Sequence, residues 1–122
     1  MSEDGLPHRH GAPIEDIYAS LPSANLFVPV ADLLKQLGDA TRLRIFWLLC
    51  HGEECVINIS AMVGMSSPAV SHHLRVLKAA GLIESSRKGR EVYYHSADSE
   101  RARLLHGVIE AVMQVTCPLQ EK

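Results

Sequence analysis

The stretch Met65-Ser-Ser-Pro-Ala-Val-Ser-His-His-Leu-Arg-Val-Leu-Lys-Ala-Ala-Gly81 leaves little choice of local fold. Val70, Leu74 and Leu77 recur at i, i+4 and i+7, the spacing of one apolar stripe on a helix. Ser67, Ser71, His72, Arg75 and Lys78 then point away from that stripe. Ser66 and Ser67 are good N-cap types, Pro68 suits a first turn that needs no amide hydrogen, and Gly81 supplies a left-handed stop. The outer face carries hydroxyls, an imidazole and two cations but no carboxylate, which suits phosphates and base edges. An ordinary solvated face is the plain alternative, and the neighbouring segments weigh against it.

Before this helix, Asn58 can cap a short helix from Ile59 to Val63, and Gly64-Met65 makes a tight turn. Two helices joined through such a turn form a helix-turn-helix. After Gly81 the period changes to two. Leu82, Ile83, Val92, Tyr93 and Tyr94 are strand formers, and Ser85-Ser-Arg-Lys-Gly-Arg90 between them reads as a turn with glycine at its tip. The expectation is a β-hairpin with Arg87, Lys88 and Arg90 at its end, a wing placed to touch DNA backbone or minor groove. The candidate DNA contacts are therefore Ser66, Ser67, Ser71, His72, Arg75 and Lys78 on the helix and Arg87, Lys88 and Arg90 on the wing.

A net charge of −2 looks wrong for such a surface until it is divided along the chain. Residues 41–95 hold seven Lys/Arg against four Asp/Glu, a net +3, and the remainder is net −5. The basic share is local, where phosphate contacts would need it.

The flanks read as further helices. Residues 1–13, with Gly5, Pro7, Gly11 and Pro13 and no apolar period, predict a flexible tail carrying His8 and His10. Ile14, Ile17, Tyr18 and Leu21 predict a short amphipathic helix from Pro13 to Leu21. A second runs from Leu26 to Leu37 with Pro29 in its first turn and Gly38 as its stop. Asp39 stands as N-cap to Ala40–Leu49, whose Leu43, Phe46 and Trp47, with Cys50 beyond, can face inward. Arg42 and Arg44 lie elsewhere on that helix, available to phosphate or to a salt bridge. Asp98 or Ser99 can cap a last helix with Leu105, Val108, Ile109, Val112 and Met113 along one side, ended by Pro118. On it His106 and Glu110, at i and i+4, read as a surface pair.

The fold expected is mainly α with a small β-hairpin: a winged helix-turn-helix that dimerises through its N- and C-terminal helices. A two-fold dimer would present two recognition helices to a pseudo-palindromic site about one DNA turn apart. Residues 14–117 would be one DNA-binding and dimerisation domain between tails 1–13 and 118–122. No apolar run approaches the roughly 18 residues of a membrane span, and no secretory signal pattern opens the chain, so a cytoplasmic protein without a membrane partner is expected. Three cysteines argue against a disulfide framework and leave thiols as possible metal ligands. An enzyme is not expected: there is no glycine-rich phosphate loop, and His72-His73 point to two sides of one helix.

Residues 38–95 resemble the ArsR/SmtB family of winged-helix metalloregulators. The resemblance rests on Leu37-Gly-Asp-Ala-Thr-Arg-Leu-Arg-Ile45, Glu54-Cys-Val, Ser67-Pro-Ala-Val-Ser-His-His-Leu-Arg-Val-Leu77, Ala80-Gly-Leu-Ile83 and Arg87-Lys-Gly-Arg-Glu-Val-Tyr-Tyr94. It implies a dimeric repressor that occupies double-stranded operator DNA when free of inducer and lets go when a metal ion or metalloid binds. It also implies that Ser67, Ser71, His72 and Arg75 face the major groove.

The sensing residues depart from the family pattern. Glu54-Cys55-Val56-Ile57-Asn58 keeps one thiol of a motif that reads Glu-Leu-Cys-Val-Cys-Asp or carries Gly for the second Cys. The site on the last helix, an Asp-x-His pair with His-x-x-His or His-x-x-Glu, is reduced to Asp98, with Ala111 and Gln114 at the second pair. What remains as candidate metal ligands is Cys55, Cys117, His8 and His10, because an N-terminal arm of one subunit can reach the position of Cys55 on the other in related regulators. Thiolate-rich ligands suit Cd(II), Pb(II), Zn(II) or trivalent arsenic. Two rivals stand beside this reading: a constitutive or thiol-redox-responsive repressor, and a winged helix used for protein contact without DNA.

Overall fold

The computed structural model describes residues 5–116. The chain divides into two compact units, Met1–Asp32 and Leu33–Lys122, each described by itself.

In the first, α1 (Ala12–Ser20) follows Gly11, whose φ of 110° only glycine adopts readily. Pro13 sits in its first turn, where no amide hydrogen is needed. No residue of α1 is buried. The next helix, α2 (Ala24–Gln36), begins two residues before the expected start, so Pro29 falls inside it rather than in its first turn. There it removes one i to i−4 hydrogen bond.

The second unit holds the core. Asp39 caps α3 (Ala40–His51), its carboxylate accepting from the Arg42 amide at 2.9 Å. That bond holds the Asp39 carboxyl below its usual range. The residues α3 buries are Ile45, Phe46 and Leu49, while Leu43 and Cys50 are half-buried. Trp47 departs from the inward placement expected of it. Its ring stays exposed because its indole N–H has a partner outside the core, the Glu110 carboxylate at 3.0 Å.

The short strand β1 (Glu54–Cys55) leads into α4 (Val56–Val63), which starts three residues earlier than Asn58 would set it. Cys55 occupies the N-cap, and Glu54 supplies the acceptor instead, its carboxylate taking the Cys55 amide at 3.0 Å and the Asn58 side chain at 2.9 Å. Gly64, at a left-handed φ of 69°, turns the chain, and Met65 N–H closes on the Ser60 carbonyl at 3.1 Å.

Helix α5 (Ser67–Ala79) is capped by the Ser66 hydroxyl on the Ala69 amide at 3.3 Å. Its end is a Schellman motif: Gly81 N–H to the Lys78 carbonyl and Leu82 N–H to the Leu77 carbonyl, both 3.0 Å, with Gly81 at φ 76°. Leu82 and Leu77 are both fully buried there.

Strands β2 (Ile83–Lys88) and β3 (Glu91–Ser96) pair antiparallel from Ile83 opposite Ser96 to Lys88 opposite Glu91. The pairing thus runs through Ser85–Lys88, which the sequence assigned to the turn. Only Gly89 and Arg90 bridge the strands, with Gly89 at the positive φ that a two-residue hairpin needs. Arg87 and Lys88 are strand residues. β1 adds on the other side of β3, giving the order β1-β3-β2. Finally α6 (Glu100–Thr116) starts at Ser99, whose hydroxyl accepts the Ala102 amide at 3.1 Å. Pro118, expected to end it, lies outside the described residues. Phe46, Ile59, Val70, Leu74, Leu77, Ile83 and Ile109 share one apolar core.

Candidate nucleic-acid interface and ligand residues

Helix α5 buries Val70, His73, Leu74 and Leu77. On the face opposite, Ser71, Arg75 and Lys78 follow at i, i+4 and i+7, with exposed His72 beside them. The two histidines therefore part company as expected. His73 accepts a hydrogen bond at Nδ1 from Arg42 Nε at 3.2 Å. Burial pushes its pKa below the ordinary 6.5; the Asp39 carboxylate, 3.9 Å from Nε2, pulls the other way, and the Arg42 cation works with burial. Arg42 also donates to the Gln36 carbonyl at 2.9 Å, and Arg44 reaches the Met62 carbonyl at 3.5 Å. Both arginines fasten the scaffold by hydrogen bonds to neutral acceptors rather than by the salt bridge considered for them.

The serines at the start of α5 are already engaged. Ser66 caps the helix, and the Ser67 hydroxyl lies 3.2 Å from that of Ser60 on α4. Lys78 extends across to the wing, its ammonium 2.8 Å from the Ser85 hydroxyl. On the wing, Arg87 and Arg90 are exposed. Lys88 is paired with Glu53, which raises its pKa, and its ammonium sits 5.4 Å from the Tyr93 ring centroid. Among the described residues, Arg75, Arg87 and Arg90 make no ion pair, so their charges face solvent together with Lys78.

The candidate ligands fall in different units. Cys55 is buried, 7% exposed, opposite Tyr93 of β3. His8 and His10 belong to the first unit, where their exposed rings stack with centroids 5.9 Å apart. Cys117 lies outside the described residues. Cys50 is half-buried rather than a full core residue, and desolvation pushes its thiol up to about 11. Among the described residues no group of three ligands forms around Cys55. One does form elsewhere: His51 at the end of α3 with His106 and Glu110 of α6. The sequence displayed the His106 and Glu110 pair, but His51 is 55 positions from His106 and no spacing along the chain points to it.

No single helix among the described residues is long and apolar enough to cross a membrane. Residues 39–85 match the family model described as bacterial regulatory protein, arsR family. The chain is 31% identical over 108 residues to the transcriptional repressor SmtB homolog of Synechocystis, covering 88% of this chain and 82% of that one. It is 39% identical over 77 residues to the cadmium resistance transcriptional regulatory protein CadC homolog of Staphylococcus aureus, covering 62% and 63%. In structure it superposes on the homodimeric winged helix-turn-helix DNA-binding domain of a possible ArsR-family regulator from Mycobacterium bovis. The TM-score is 0.67 at 31% identity, over 84% of this chain and 98% of that one. The helix-turn-helix, the wing and these likenesses agree, and the chain belongs to the ArsR family of bacterial regulatory proteins.

Proposed function

We propose that this chain is a dimeric transcriptional repressor that grips operator DNA with α5 and the wing and releases it when a metal ion or metalloid binds. One observation carries the reading: Ser71, His72, Arg75 and Lys78 line the outer side of α5 with no carboxylate among them, and Arg87 and Arg90 extend the same charge along the hairpin. Ser67, Ser71, His72 and Arg75 enter the major groove, while Ser66 and Lys78 set the helix against the backbone. Arg87 and Arg90 hold the flanking phosphates, while Lys88, expected beside them, is held by Glu53. The repressor, cadmium-resistance and homodimer descriptions of the relatives support extending those properties here. Residues 14–117 act as the DNA-binding and dimerisation body, working in the cytoplasm on double-stranded operator DNA.

Release follows from linkage. An inducer that favours the conformer with mismatched recognition helices shifts the equilibrium only by its differential affinity, typically about 1–3 kcal/mol. The thiolate set of Cys55 and Cys117 with His8 and His10 is our candidate for soft ions such as Cd(II), Pb(II) or trivalent arsenic. His8 and His10 belong to the first unit and Cys55 to the second, and Cys117 lies outside the described residues.

Fluorescence anisotropy on promoter duplex tests the reading. If Lys78, Arg87 and Arg90 each neutralise one phosphate in both subunits, log K falls against log salt with a slope of about −5. Arg75→Ala with Lys78→Ala should abolish sequence-specific binding. A flat salt response, or unchanged binding by that double variant, would overturn the proposal.

A further inference from the structure

The end of α3 and the middle of α6 bring three lone-pair atoms to one point. His106 Nε2 lies 2.9 Å from His51 Nε2, and Glu110 Oε2 lies 3.3 Å from the first and 3.4 Å from the second. Two ligands about 2.1 Å from a common ion and roughly 90–110° apart stand about 2.9–3.4 Å from each other. All three edges of the triangle therefore have the length of a coordination edge. Protons alone satisfy the arrangement poorly: of two imidazole nitrogens in contact only one can donate to the other, and a neutral donor used that way is withheld from the carboxylate.

The surroundings fix these atoms in place. The Trp47 indole donates to the same Glu110 oxygen at 3.0 Å, and its ring packs against His51 with centroids 4.1 Å apart. His106 and Glu110 are one turn apart on α6, and His51 ends a helix whose previous turns pack in the core. The side chains of His51 and Glu110 are nearly half exposed, so an ion can enter and a fourth position stays open to water. Two imidazoles and a carboxylate with an open position suit a borderline divalent ion rather than a soft one.

We propose that His51, His106 and Glu110 bind one divalent transition-metal ion of the Zn(II) or Co(II) class, pinning the end of α3 to α6. This site shares no residue with the thiolate set of Cys55 and Cys117, and it stands whether or not the chain binds DNA.

Trp47 is the only tryptophan of the chain and reports on the site directly. Co(II) is titrated anaerobically into the full-length protein while visible absorption and tryptophan emission are followed, and Zn(II) is then added in competition. The expected result is one ion per chain, d–d bands without thiolate charge transfer, a change in Trp47 emission in step with them, and displacement by Zn(II). His106→Gln and Glu110→Gln should each weaken binding by at least about tenfold, with Cys55→Ser and Cys117→Ser unchanged. Glu110→Gln is a surface change and keeps the test decisive if His106→Gln fails to fold. Wild-type affinity in Glu110→Gln, or a thiolate band that disappears in Cys55→Ser, overturns the site. Arg75→Ala, which tests the DNA reading, should leave this titration unchanged.

Discussion

His73 shows how one residue can be misread from its position alone. It sits in the middle of the recognition segment beside His72, yet its ring is turned into the core and holds Arg42 at 3.2 Å. Because burial lowers its pKa, the unfolded chain takes up a proton at this residue before the folded one does. Its contribution to stability is complete above the unfolded value of 6.5 and is lost as pH falls through the depressed folded value. His73→Asn keeps an acceptor near the place of Nδ1 and removes the titration. Urea unfolding between pH 7 and pH 5 should show stability falling less steeply in the variant, by at most about 1.4 kcal/mol per pH unit, the limit for one proton. Equal slopes would mean that His73 is protonated in the folded chain. Lys88 carries the same lesson on the wing, where its charge is already answered by Glu53 while Arg87 and Arg90 keep theirs for another partner.

Among the elements, α5 is defined by its ends as much as by its stripe. Ser66 stops it at one side, and the Gly81 motif at the other turns the chain so that Leu82 and Ile83 enter the core as the wing begins. A Cβ at Gly81 would meet nothing within 4 Å, so the cost of Gly81→Ala is backbone strain at φ +76° and not crowding. Thermal unfolding should show Gly81→Ala destabilised by about 1–2 kcal/mol. Gly81→Asn should lose less, because asparagine tolerates the left-handed region. Equal losses would point to packing instead. The hairpin was legible from its period of two and its glycine, but not its length: Ser85 to Lys88 look like turn residues, and only pairing with Glu91–Tyr94 makes them strand. Likewise Glu54–Cys55 becomes a strand through its partners Tyr94 and Tyr93, which no local propensity could announce.

For the whole molecule, the outstanding feature is apolar surface without cover. Leu104, Val108, Val112 and Val115 recur along one side of α6, all exposed. Ile14 and Ile17 on α1 and Leu26, Phe27 and Leu34 on α2 are exposed. Such faces mark association surfaces, and a second copy is the partner that the proposed function requires. Val108→Glu should convert the protein to a monomer in analytical ultracentrifugation and weaken operator binding by about 10²-fold or more through loss of the second recognition helix. A Val108→Glu protein that remains dimeric would place the interface elsewhere.

Sequence alone determined the helices and the hairpin and their order, the stripe that buries α5, its caps and the family, because periodicity and capping are local and survive without knowledge of neighbours. It also displayed which cations cluster along the chain. Tertiary structure alone decided that Trp47 turns outward to Glu110, that β1 joins the sheet, and that Cys55 gathers no companion ligands among the described residues. It also decided that His51 meets His106 and Glu110 across 55 positions. The reason is physical: coordination and side-chain hydrogen bonding depend on distances of about 3 Å between atoms, and such distances are set by packing of whole helices, not by spacing along the chain.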